Sequence, residues 1–166
     1  MVQRAGWYLI VTDVRSGQEA ARFPLEAGDQ FAVGFIHSVN LRPLVDVYQI
    51  SEDHQIYAEE TIYYQFGAGV QTQVNAGETM TLGEDGAIVV SGIHQLLPSF
   101  TCSVGVVSDR TLLLGDIHPE YDTLKEKIGV FTDQTIQQVG DVQVVSLSSL
   151  VGREGLVSFH YEYRWF

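Results

Sequence analysis

With 166 residues the chain has room for one domain and one core, burying roughly two-thirds of the surface its unfolded form would expose. A composition of 45% hydrophobic and 18% charged residues, with 8 Phe, 8 Tyr and 2 Trp, excludes a disordered chain. Nine Lys and Arg against 21 Asp and Glu leave a formal charge of -12, a field that repels nucleic-acid backbones and anionic lipid headgroups.

The elements follow a period of two from the start. "WYLIVTD" (7–13) reads as a strand, and its Asp13 comes too early for the apolar segment of a signal peptide. The turn "EAGD" (26–29) leads into a strand over 31–39, a four-residue turn Asn40, Leu41, Arg42, Pro43, and a returning strand over 44–51. "QIYAEETIYYQF" reads as a third strand, and "FGAGV" (66–70) as a tight turn or a bulge able to aim amides at an anion. After the turns "NAGE" (75–78) and "GEDG" (83–86) come the strand-like runs "AIVVSGI" and "TCSVGVVSD". Residues 116–140 break the rhythm. Tyr121, Leu124 and Ile128 lie at helical spacing after Pro119, with Gly129 as a stop, so a short helix over 119–128 is expected inside a surface excursion. "VQVVSLSSL" and "LVSFHYEYRWF" complete the chain as strands. In the last, Val157, Phe159, Tyr161, Tyr163 and Trp165 alternate with polar residues. The expected fold is all-β over residues 1–166, an antiparallel β-sandwich or flattened barrel with one or two short helices.

No apolar run approaches the ~18 to 20 residues of a membrane-spanning helix, and Cys102, the only cysteine, rules out an intrachain disulfide and a thiolate metal cluster. The chemistry therefore rests on polar groups inside the strands. In the expected register His37 opposes Asp46, and pairing Ile50 with Ile56 sets Glu60 beside Asp46, giving a row across three strands. Three readings of this row stay open: a register lock, a pocket for a small polar ligand, and a site for a divalent metal. The metal reading is weak. No HxH or HExxH is present, and His54, His94, His118 and His160 sit in unrelated runs. Ser38 adjoins His37 and points to the other face of a strand, which disfavours a serine–histidine relay, and no nucleotide-binding motif occurs. No catalytic residue, metal ligand or cofactor is assigned.

The run "FIHSVNLRPLVDVYQI", an acidic aromatic strand and then "FGAGV" resemble the bacterial and archaeal family of domains of unknown function numbered eighteen-fifty. By position the resemblance marks His37, Ser38, Val39, Pro43, Asp46, Phe66, Gly67, Ala68 and Gly69. It implies a small extracytoplasmic protein, periplasmic or at the cell surface, with an N-terminal hydrophobic segment that is trimmed from the sequence given. It also implies a protein encoded beside tripartite (TRAP/TAXI-type) solute transporters. The expectation is a non-enzymatic accessory domain acting by protein interaction, whose partners are the TRAP-type permease or its solute-binding protein, with no nucleic acid and no membrane insertion by this chain. The alternatives are a solute-binding domain built on His37, Asp46 and Glu60, and a metal-dependent hydrolase-like enzyme.

Overall fold

The structure, a computed structural model, describes residues 5–64, 74–83, 85–105 and 107–165. It is an all-β, sandwich-like fold of two antiparallel sheets with short helices. The strands are β1 (Gly6–Asp13), β2 (Glu19–Pro24), β3 (Gln30–Ile36), β4 (Pro43–Ile50), β5 (Ile56–Tyr64), β6 (Thr79–Leu82), β7 (Ala87–Leu97), β8 (Ser99–Ser103), β9 (Thr111–Leu114), β10 (Ile136–Val139), β11 (Val142–Ser146) and β12 (Leu156–Arg164). A four-stranded sheet runs β2-β1-β12-β8, and an eight-stranded sheet runs β10-β11-β9-β3-β4-β5-β7-β6.

Two cores result, one on each face of the large sheet. Between the sheets, Leu9, Val11, Val157 and Phe159 meet Phe31, Val33, Tyr48, Ile50, Leu112 and Leu114. On the outer face, Ala32, Val45, Val47, Ile62 and Leu113 are covered by Ile117, Leu124 and Ile128 from the excursion. Burial on both faces explains why "FAVGFI" and "TLLL" are apolar without alternation. The excursion is therefore a core element and not a surface loop. Its helical part is shorter than expected, a 3-10 turn His118–Glu120 and α1 (Tyr121–Leu124), continued by turns to Ile128. Gly129 does end it, at φ +80, with the position of its missing Cβ only 2.4 Å from Ile36 Cγ1. Gly34 likewise lets Ile128 sit directly on β3: a Cβ there would stand 2.9 Å from Ile128 Cγ2.

Four further features depart from the sequence reading. β2 and β6 are short strands with little alternation to announce them. "SLSSL" forms α2 (Leu147–Val151), because the Ser146 side chain caps its first turn by accepting from the Ser149 N–H. The "TCSVGVVSD" strand stops at Ser103, and Gly105 adopts φ +96 in the loop that follows.

The β3–β4 hairpin is the largest correction. The observed register pairs Ile36 with Pro43, Phe35 with Leu44 and Val33 with Asp46, four residues out of step with the expected one. The loop closes at His37, whose N–H donates to the Arg42 carbonyl at 2.9 Å, so it comprises Ser38–Leu41. Side chains fix it there: His37 Nδ1 accepts the Val39 N–H, Asn40 Oδ1 accepts the Arg42 N–H, and Leu41 takes φ +54. Pro43 begins β4, where a missing N–H is tolerated. Between β4 and β5 the Ile50–Ile56 pair holds, but a bulge leaves Glu59 out of the ladder and shifts the rest by one. Asp46 therefore opposes Thr61, while Glu60 opposes Val47.

Candidate functional site

The expected row of His37, Asp46 and Glu60 does not form. His37 lies in the hairpin loop, Asp46 shares a face with Tyr48 and Ile50 toward the inter-sheet core, and Glu60 shares the opposite face with Val47. Phe66, Gly67, Ala68 and Gly69 lie outside the described residues. Each of the other marked residues has an identifiable local setting.

Asp46 accepts a 2.8 Å hydrogen bond from Thr61 Oγ1. Burial pushes its carboxyl pKa up, opposed by the Thr61 donor and by the charge of Arg110. The same surroundings push the Tyr48 hydroxyl up and the Cys102 thiol up to about 11, in each case chiefly by desolvation. Cys102 is thereby held in its protonated thiol form near neutral pH. Glu60 accepts at 2.5 Å from His118 Nε2, and His118 Nδ1 lies 2.8 Å from Asp116. The Glu60 hydrogen bond, then that of Asp116, lifts His118 to about 9 against the cost of its partial burial. A carboxylate–imidazolium–carboxylate clamp of this kind ties the start of the excursion to β5. Among the described residues no group of three or more His, Cys, Asp or Glu is placed to hold a metal ion.

The features most suited to recognition gather where β3 ends and β4 begins. The hairpin loop is anchored by Asn40 Nδ2, which donates to the Tyr64 carbonyl at 2.7 Å, and by the Arg42 guanidinium, 4.1 Å above the Tyr64 ring. Beside it runs the segment between β8 and β9. Ser108 Oγ accepts the Ile36 N–H at 3.0 Å, and the Asp109 N–H donates to the Gly129 carbonyl at 3.0 Å. Asp109 is fully buried, accepting from Ser146 Oγ and from the Ser148 N–H, so this segment is bolted to α2. On these fixed loops four aliphatic side chains face solvent: Val39 at 66% exposure, Leu41 at 69%, Val107 at 75% and Val130 at 50%. Burying them against a partner would be favourable, and the rigidity of the loops lowers the entropic cost. Of the four, only Val39 carried a mark in the sequence. The available signal is Val39 and Leu41 on either side of Asn40, hidden because "SV" continues the apolar strand pattern.

The family model described as a domain of unknown function (DUF1850) matches residues 31–119, just over half of the chain, and the chain belongs to this family. No curated protein and no solved structure matches it. The match takes in β3 to β9 and therefore the hairpin loop, Asp46, Glu60, Val107 and Arg110. β1, β2 and β10 to β12 lie beyond it.

Proposed function

We propose that this chain is a non-enzymatic, extracytoplasmic accessory domain that works by protein interaction, with the hairpin-loop end of the sandwich as its docking surface. The observation that carries this reading is the set of Val39, Leu41, Val107 and Val130, exposed on loops that hydrogen bonds hold in place. Exposed aliphatics on a rigid scaffold are how interfaces present anchors, whereas catalysis needs convergent polar groups. His37, Asp46 and Glu60 do not converge on one another: His37 Nδ1 is engaged by the Val39 N–H, and Asp46 and Glu60 face opposite sides of the sheet. The association with a tripartite TRAP/TAXI-type transporter follows from the resemblance of the sequence, with the permease or its solute-binding protein as the partner.

A solute-binding reading would now rest on a different place. An open groove of about 820 Å³ lies between β2 and the ends of β9 and β11, lined by Phe23, Leu25 and Leu114 with Asp29, Asp116 and Asp141. Co-purification of the full-length protein with the transporter encoded beside it, followed by native mass spectrometry, separates the two. A stable complex with a transporter protein and no small ligand is expected. A bound solute on the isolated protein, with no protein partner, would reverse the proposal.

A further inference from the structure

Resting on the reading just given, we infer that the docking surface receives a partner segment in which Asp or Glu side chains flank the aliphatic anchors. The carrying observation is a set of arginines. Arg42, Arg110 and Arg153 each lie over an aromatic ring, with the guanidinium carbon 4.1 Å from the centroid of Tyr64, 4.1 Å from Phe35 and 3.8 Å from Phe131. Their backbones lie near the described ends of the segment between β8 and β9 or in the hairpin beside it. Arg42 closes the neighbouring hairpin, the Arg110 N–H donates to Val104, and the Glu154 N–H, next to Arg153, donates to Gly105.

None of the three forms an ion pair with a carboxylate among the described residues, nor does Lys127, which leads into Val130. That is unexpected in a chain with 21 acidic and 9 basic residues. Elsewhere Arg22, Lys125 and Arg164 are paired, and Arg15 is the one other described cation with no ion pair, although its backbone N–H donates to Asp13 Oδ1. Exposed carboxylates are near enough in the chain to compete, Glu126, Asp133 and Glu154 among them, yet none pairs with these cations. Arg110 donates its Nε–H to the Ser103 carbonyl at 2.8 Å and its charge acts on Asp46. Arg42 and Arg153, held over ring faces, keep N–H groups for a partner and have already lost much of their rotamer freedom. The ligand such groups fit best is a carboxylate, taken bidentate. Aliphatic anchors beside pinned guanidiniums thus describe the complement of an acidic, aliphatic segment.

The test uses random twelve-residue peptides displayed on phage, selected against the immobilised full chain, with the best peptide then synthesised and titrated. Enrichment of Leu, Ile or Val next to Asp or Glu is expected. The affinity should fall about tenfold or more in Arg42→Gln and in Arg153→Gln. Arg42→Lys should restore only part of it, since an ammonium cannot reproduce the fork. Aliphatic peptides without carboxylates, bound equally by the Gln variants, would overturn this inference and leave the interaction reading intact. Peptides that ignore Val39→Asp and Leu41→Asp would overturn both. Binding to phosphatidylglycerol vesicles that is lost in Arg42→Gln would assign the arginines to lipid and overturn it too.

Discussion

The two ends of the sandwich use charge in opposite ways. At the end opposite the hairpin loop, the turns after β2 and β4 and the start of the excursion carry Glu26, Asp29, Glu52, Asp53 and Asp116. Several of these are used internally. Asp29 accepts the Glu26 N–H, Ser51 donates to Asp53, and Asp116 with Glu60 holds His118. At the hairpin-loop end Arg42 and Arg153 sit over aromatic rings without an ion-paired carboxylate among the described residues, next to uncovered aliphatics. Charges that complete turns and tie down segments are architecture. Oriented charges left over on rigid loops are available to another molecule.

Substitutions at the two kinds of place should therefore fail differently. The largest stability effect is expected from Leu124→Ala, which empties a fully buried site under the excursion and should cost about 2–5 kcal/mol in denaturant unfolding. A cost within experimental error would mean that the excursion is a loose flap and not a core element. Next comes Gly129→Ala. It needs a left-handed backbone and places a methyl against Ile36, so a loss of about 1–3 kcal/mol is expected.

The His118 clamp should show its weight in a pH profile. Its folded pKa, about 9, lies above the ordinary 6.5, so its stabilisation is fully present below about pH 6.5 and disappears as pH rises through 9. His118 is nearly half exposed and water screens the pair, which holds the effect to about 1 kcal/mol or less. Glu60→Gln should flatten that part of the profile, and an unchanged slope would remove the clamp from the account. The smallest effect comes from a group whose charged form opposes folding. Asp46 has a raised carboxyl pKa, so its ionisation works against folding as pH climbs from near 4 through that raised value. Asp46→Asn keeps an acceptor for Thr61 and should leave melting at pH 7 unchanged or slightly higher. A drop of more than about 1 kcal/mol would show that the ionised carboxylate holds the fold together.

How much of this was legible in the sequence depended on the range of the interactions involved. The Ile50–Ile56 pair and the Gly129 stop are local or nearest-neighbour properties and agree with the structure, as does the alternation of β12 at Val157 and Phe159; it fails at Tyr163 and Trp165, which are exposed. The β3–β4 register does not agree. His37 and Asn40 side chains settle the loop by hydrogen bonds that compete with the cue of Pro43, and a shift of four residues keeps the same faces apolar. Apolar patterning alone could not distinguish the two. The bulge at Glu59 was invisible for a similar reason, since "EETI" offers no glycine to announce it. The role of His118 is not legible locally, because Glu60 lies 58 residues earlier and only the covering of the outer sheet face brings them together. The unpaired arginines were hidden by the overall charge: a sum of -12 says nothing about where the few cations sit.

The central claim, that the hairpin-loop end is a docking surface, is tested most directly by comparing the wild type with a Val39→Asp, Leu41→Asp double variant. Both are expressed as tagged proteins together with the tripartite transporter proposed as the partner, and any permease or solute-binding protein recovered with each is measured by quantitative mass spectrometry. The account predicts that the variant melts within a few degrees of the wild type, because both side chains are exposed, and loses at least about nine-tenths of the recovered partner. Equal recovery by a folded variant, or no transporter protein recovered with the wild type, would contradict it.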